Sequence, residues 1–209
     1  MEILKNISEK LVIGKADEVV DLINEALGNG LKADAILNDG LLDGMAIIGK
    51  RFKEGSAYIP EVLIAARAMN RGLEILDPLL AEEGAEPRGT LLIGTVQGDL
   101  HDIGKNLVSI LFRGAGFNII DLGSNVAPAV FIAKTKECSP DIIGLSALLT
   151  TTMIKMGSTI KALRESSITT PVIVGGAPLT QDFADSIGAD IFASSASDGV
   201  EKVIALMVD

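Results

Sequence analysis

The chain has 209 residues, a formal charge of −10 from 18 Lys plus Arg against 28 Asp plus Glu, and a 48% hydrophobic but only 3% aromatic composition. That is enough apolar content for one large domain or two small ones with an aliphatic, alanine-rich core. The acidic balance, without any basic patch interleaved with aromatics, argues against nucleic acid as a partner. Cys138, the sole cysteine, leaves no disulfide framework and no thiolate cluster, and reads as an inert, half-buried thiol.

The N-terminus, Met1-Glu2-Ile3-Leu4-Lys5, lacks a charged region followed by a long apolar one, so no signal peptide is expected. No apolar run approaches the ~18 residues that span a bilayer. The expectation is a cytoplasmic chain with no membrane partner.

Up to about residue 83 the sequence reads as helices alone. Ile3, Leu4, Ile7, Leu11 and Val12 form one apolar stripe, closed by Gly14. Val19, Val20, Ile23 and Leu27 form a second, closed by Gly28-Asn29-Gly30. Leu37, Leu41, Met45, Ile48 and Phe52 step by three or four toward Gly55. Pro60 and Glu61 suit the first turn of a fourth helix, whose inner face is Val62, Leu63, Ala66, Met69, Leu73 and Leu76. Pro78 is expected to kink or end it. Four amphipathic helices with short connections predict a bundle over 1–83.

The polar, Gly- and Pro-punctuated stretch 81–89 reads as a connection, with the linker proper at 84–89. From Thr90 to the end, 90–209, strand and helix patterns alternate. The strands are expected at Leu91 to Val96, Asn118 to Asp121, Asp141 to Ser146, Pro171 to Val174, and Asp190 to Ala193. The fold class is therefore α/β: a helical bundle followed by a doubly wound, flavodoxin-like sheet of five parallel strands.

Three loops at the carboxyl ends of these strands carry unusual residues. After the first comes Gly98-Asp99-Leu100-His101-Asp102-Ile103-Gly104, holding the only histidine of the chain. A carboxylate two residues before an imidazole can hold one ring nitrogen and raise the basicity of the other. Gly104 leaves the start of the following helix bare, so a bulky group can come close. After the third strand comes Ser146-Ala-Leu148-Leu-Thr150-Thr-Thr152, rich in hydroxyls, and after the fourth Gly175-Gly176-Ala177. Taken singly, the histidine reads as a solvated loop residue, the hydroxyls as helix N-caps and the glycines as a turn. Together they line one sheet edge, where open α/β sheets bind their ligands.

No Gly-x-Gly-x-x-Gly fingerprint occurs there, and Gly104-Lys105-Asn106 does not complete a phosphate-binding loop. One histidine and one cysteine serve zinc poorly. A single imidazole suits a metal whose other positions a macrocycle fills, which points to a haem or a corrin.

Asp99-x-His101-x-x-Gly104, then Ser146-x-Leu148, then Gly175-Gly176 resembles the signature of proteins that bind cobalamin with a protein histidine in place of the cofactor's own base. In the helical half, Met45-Ala-Ile-Ile-Gly49-Lys-Arg-Phe52-Lys-Glu-Gly55, leading into Tyr58-Ile59-Pro60-Glu61-Val62, is similar to the cap of methyl-carrying corrinoid proteins. These include the cobalamin-binding region of methionine synthase and the corrinoid proteins of methanol and methylamine methyltransferase systems. The resemblance covers nearly the whole chain and implies cobalamin, as methylcobalamin or a related corrinoid, with its cobalt held by His101.

By the same resemblance Asp99 holds the other imidazole nitrogen and Thr152, where the methionine synthase pattern has serine, extends that relay. Gly98, Leu100, Asp102, Ile103 and Gly104 belong to the cofactor loop; Ser146, Leu148 and Thr150 line a slot for the displaced nucleotide tail. Gly175, Gly176 and Ala177 leave room for it, and Met45, Phe52, Ile59 and Val62 cover the methyl-bearing face. The implied activity is a methyl carrier, not catalytic alone, between a substrate-specific methyltransferase and an acceptor methyltransferase using coenzyme M or tetrahydrofolate, with a reductive activation protein as a further partner. The alternatives are the cobalamin subunit of an adenosylcobalamin-dependent mutase, which usually lacks such a helical cap, and a cobalamin-dependent sensor, which needs a DNA-binding module.

Overall fold

The computed structural model describes residues 2–208. The chain divides into two compact units, one ending at Pro87 that also takes in Gly114–Gly116, the other made of Arg88–Arg113 and the chain from Phe117 on.

The first unit is helical. Helices α1 (Glu2–Val12) and α2 (Ala16–Gly28) are followed by a continuous helical run: α3 (Ala33–Ile36), a π-helical segment (Leu37–Leu42) and α4 (Asp43–Lys53). The long helix α5 (Ile59–Glu83) completes the unit. Ile7, Leu11, Ile23, Ile36, Leu41 and Leu76 are fully buried and form its aliphatic core. The helices approach closely where side chains are missing: a Cβ on Gly44 would lie 2.9 Å from Leu11 Cδ2, and one on Gly72 2.8 Å from Ile23 Cδ1.

Helix α5 opens with Pro60 in its first turn and the Tyr58 N–H donating to the Glu61 carboxylate at 2.6 Å. Pro78 neither ends it nor limits it: the helix runs on to Glu83 and stops at Gly84, whose φ of +68° is left-handed. Pro78 is exposed, so water can reach the carbonyl it leaves unbonded, while buried Leu80 holds the next turn to the core. The Glu83 carboxylate then reaches the start of α3, accepting the Ala33 and Asp34 N–H groups at 3.1 and 3.2 Å.

The second unit is a five-stranded all-parallel sheet: β1 (Gly89–Thr95), β2 (Phe117–Asp121), β3 (Ile142–Ser146), β4 (Val172–Gly175) and β5 (Ile191–Ala193), in the order β2-β1-β3-β4-β5. The helices are α6 (Ile103–Arg113), α7 (Pro128–Cys138), α8 (Thr150–Glu165), α9 (Gln181–Ser186) and α10 (Ala196–Val208). Strand order reverses between β1 and β3, so right-handed crossovers put α6 and α7 on opposite faces. Leu92, Val96, Phe131, Leu145, Ile160 and Val174 belong to the core on the α7–α8 face.

Asp141 and Asp190, expected as first strand residues, sit just outside the strands and tie the opposite sheet edge. Asp141 Oδ2 accepts the Thr90 N–H at 2.6 Å, and Asp190 Oδ2 accepts the Val172 N–H and Arg164 at 2.7 Å each.

Candidate functional site

The reversal of strand order places the loop after β1 beside the loop after β3, the usual ligand crevice of an open α/β sheet. Along the carboxyl edge, Thr95 pairs in register with Ser146, Ser146 with Gly175, and Gly175 with Ala193. No side chain in that row is larger than threonine, so the edge stays low where the loops rise around it.

The loop after β1 is pinned through its backbone. Gly98 turns at φ +88° and donates its N–H to Asn125 Oδ1 at 2.8 Å. Asn125, itself left-handed at φ +56°, donates its own N–H to the Asp99 carbonyl at 2.9 Å. The buried Thr95 hydroxyl donates to the His101 carbonyl at 2.9 Å.

This path turns Asp99 inward, at 0% exposure. Its Oδ1 accepts the His101 N–H at 3.0 Å and meets His101 Nδ1 at 2.7 Å. Its Oδ2 accepts the Leu148 N–H at 2.8 Å and the Thr152 hydroxyl at 2.6 Å. Burial pushes the Asp99 carboxyl up, but the Thr152 hydroxyl, the Leu148 and His101 N–H groups and the His101 ring outweigh it and hold it well below the usual carboxylate range. Asp99 is therefore ionised and can only accept hydrogen bonds. The His101 ring donates from Nδ1, and the tautomer this contact selects in the neutral ring has its lone pair on Nε2. The His101 side chain is 51% exposed, so that lone pair belongs to a group open to a ligand.

The structure thus brings Asp99, His101, Leu148 and Thr152 together from two loops. Leu100 and Ile103 stand out at 73% and 75% exposure, an apolar pair flanking His101 in sequence. Ile103 is in helix α6 but does not join its inner face. Asp102 is exposed, its carbonyl accepting the Asn106 N–H at 2.8 Å. A Cβ on Gly104 would meet nothing within 4 Å. Ser146 is half-buried, Leu148 and Thr150 are exposed, and Gly176 and Ala177 lie exposed after half-buried Gly175.

Gly176 has a reason of its own. At φ +152° its Cβ would fall 1.8 Å from the Ala147 carbonyl oxygen, so the contact between two chain segments already demands glycine there. In the helical unit Met45 and Val62 are buried, Phe52 is half-buried and Ile59 is exposed.

Sequence reasoning missed Thr95 and Asn125, which fix the loop, and the ion pair of buried Lys105 with Asp121. Asn125 offered a signal, since Asn tolerates the left-handed region better than most residues. Lys105 offered none, because a lysine in a helix reads as a solvated side chain.

The donor set decides which metal the loop fits. Among the described residues, no group of three or more His, Cys, Asp or Glu side chains could hold a metal ion. A lone imidazole nitrogen, held from behind by a carboxylate and flanked by exposed aliphatic side chains, fits a metal that brings its other ligands in an apolar ring.

Comparison with known proteins agrees. A B12 binding domain model matches residues 89–204, and a second B12 binding domain model matches residues 3–77. The chain is 41% identical over 206 residues to a corrinoid protein of Desulfitobacterium hafniense, covering 96% of this chain and 95% of the relative. It is 40% identical over 214 residues to trimethylamine corrinoid protein 1 of Methanosarcina acetivorans, covering 96% and 99%. The methanol:cobalamin methyltransferase complex MtaBC of Methanosarcina barkeri contains a chain that superposes with a TM-score of 0.90 at 30% identity, covering 99% of this chain and 80% of that one. With both of its regions matched and its relatives aligned nearly end to end, this chain belongs to the B12-binding corrinoid proteins.

Proposed function

We propose that this chain is a methyl carrier: it receives a methyl group from one methyltransferase and delivers it to another, on a corrinoid held at the sheet's carboxyl edge. The bound corrinoid supplies a cobalt centre able to accept a methyl group and release it again. The chain's residues hold that group, set the ligand beneath it and control access.

His101 Nε2 would hold the cobalt of the bound corrinoid. Asp99 keeps the proton on Nδ1 and, with the Thr152 hydroxyl and Leu148 N–H behind it, fixes the ring's rotation and raises its basicity. Leu100, Ile103 and Gly104, with Gly98 and Asp102 shaping the loop, give the corrin an apolar seat. Ser146, Leu148, Thr150, Gly175 and Ala177 form the wall of small and hydroxyl groups that receives the nucleotide tail, beside the turn that Gly176 permits.

Helix α5 begins with exposed apolar side chains, Tyr58 (70%), Ile59 and Leu63. With half-buried Phe52, they give the helical unit an exposed apolar surface of the kind that marks an interaction site.

The relatives named for trimethylamine and methanol point to a small methylated compound as donor, selected by a substrate-specific methyltransferase. Coenzyme M or tetrahydrofolate at the acceptor enzyme, and a reductive activation protein that rescues oxidised cobalt, complete the system we infer. The cytoplasm suits a chain with one free thiol.

The observation that carries this reading is the 2.7 Å contact from buried Asp99 to His101 Nδ1, which leaves Nε2 as the donor. The test is the Co(II) EPR spectrum of the cobalamin-loaded protein. The wild type should show imidazole nitrogen coupling that His101→Ala removes; unchanged coupling in the variant would mean that the cofactor keeps its own base.

A further inference from the structure

We propose that Lys105 is a positioning residue for the lower cobalt ligand: its buried ammonium, fixed between Asp121 and Asn106, sets where α6 begins and so how the loop presents His101. The inference rests on His101 being that ligand.

Lys105 is 2% exposed and is among the largest fully buried side chains of the chain. Its ammonium donates to Asp121 Oδ2 and, at 2.8 Å, to Asn106 Oδ1. Burying an ammonium is costly, and even a well-made buried ion pair often contributes no more stability than apolar side chains of the same volume. The same helix buries Leu111 and Phe112, so an apolar residue at 105 would serve the core as well. What the pair adds is a fixed length and direction between α6 and the end of β2.

That strut leads to the histidine by two routes. In the first, Asp121 Oδ1 accepts the Gly123 N–H at 2.8 Å, and the Gly123 carbonyl accepts the Thr95 N–H at 2.9 Å. Thr95 in turn donates its hydroxyl to the His101 carbonyl. In the second, Asn106, the residue after Lys105, donates its N–H to the Asp102 carbonyl at 2.8 Å. The carbonyls of His101 and its next neighbour are thus both set by groups tied to the pair. Asp99 and Thr152 govern the rotation of the ring; Lys105 and Asp121 govern the backbone from which the ring projects. Cutting the strut leaves the Asp99–His101 bond in place and frees its base.

The test is Lys105→Met in the full-length protein, alongside the paired variant Lys105→Met/Asp121→Leu, which leaves no stranded charge. The paired apoprotein should unfold at a urea midpoint at or above that of the wild type, and Lys105→Met, which strands Asp121, below the paired variant. Both should bind cobalamin about 10-fold more weakly, the low end for loss of a group behind a metal ligand. Their Co(II) EPR spectra should show a mixed population, part of it without imidazole coupling. A purely structural residue would move the urea midpoint and leave spectrum and affinity alone, and that outcome would overturn the proposal. So would failure of both variants to fold, since the pair would then be a stability element. Wild-type protein without imidazole coupling would instead refute the assignment of His101, while coupling unchanged between wild type and Lys105→Met refutes the role of Lys105 alone.

Discussion

Thr152→Val is the sharpest probe of the carboxylate that backs His101. The substitution preserves shape and β-branching and removes one hydroxyl, which lies 2.6 Å from Asp99 Oδ2. Asp99 is fully buried, so water cannot replace the lost donor. A hydrogen bond to a charged group contributes about 1.5–3 kcal/mol, and leaving part of a buried charge unsatisfied puts the loss toward the middle of that range, about 2 kcal/mol. The competing account treats Thr152 as a helix-start residue, since its hydroxyl also lies 3.0 Å from the Leu149 carbonyl. That contact is neutral and part-exposed, and losing it would cost about 0.5–1 kcal/mol, equally at every pH.

The two accounts part on pH. Asp99 has a folded-state pKa below its unfolded value, so it adds stability that is fully present above about 3.9, the ordinary carboxylate value, and drains away as pH falls through the folded one. Thr152 is one of the groups that lower it, so Val at 152 should cost most at neutral pH. The gap between the two apoproteins should narrow as pH drops below about 4. Urea denaturation followed by far-UV circular dichroism at several pH values measures this, and Thr152→Ser should behave as wild type. A loss under about 0.5 kcal/mol at pH 7, or one that does not change with pH, would refute the reasoning.

Other positions give independent checks. Glu83→Ala removes the carboxylate that accepts the first N–H groups of α3, and should lower the urea-derived stability of the helical unit by about 1 kcal/mol; no loss would mean that water caps α3 equally well. Pro78→Ala restores an N–H inside α5 at an exposed position, and should raise Tm because the regained helical bond outweighs the roughly 0.4–1 kcal/mol lost when the unfolded chain becomes freer. An unchanged or lower Tm would show that the helix has already relaxed around the proline.

The architecture was legible because periodicity carried it: 3.6-residue stripes for the bundle, and short aliphatic runs bounded by Gly and Asp for the sheet. The π-helical segment was not, since Leu37, Leu41 and Met45 keep helical spacing through it and only the close approach of α1 at Gly40, where a Cβ would lie 3.1 Å from Ile7 Cγ2, marks the place. At the site, Asp99 and His101 were visible by their two-residue offset, and Thr152 only through a family resemblance, because nothing local shows that a hydroxyl 53 residues away meets Asp99. Lys105 could not be seen to be buried, since burial of a charge depends on a partner supplied by another strand.

The glycines show most clearly what a sequence conceals, because identical letters answer to different forces. Gly104 and Gly176 both read as room for a ligand, yet the structure separates them. At Gly104 a Cβ meets nothing within 4 Å, and the backbone is helical. Gly104→Ala should therefore keep or raise apoprotein stability by about 0.5–1 kcal/mol, from the helical preference of alanine, while weakening cobalamin binding if a corrin lies against that turn. At Gly176 the backbone is at φ +152° and a Cβ would overlap the Ala147 carbonyl oxygen. Gly176→Ala should cost at least about 2 kcal/mol, through strain and a shifted end of β3, before any ligand is added. Because Leu148, next to Ala147, donates its N–H to Asp99, the same shift should loosen the histidine's support and weaken cobalamin binding as well. Urea midpoints of both apoproteins, with cobalamin titrations read in the visible spectrum, separate the cases. Full cobalamin affinity in Gly104→Ala would mean that nothing bulky docks there, and wild-type stability in Gly176→Ala would mean that the β3–β4 edge is looser than a 1.8 Å approach permits.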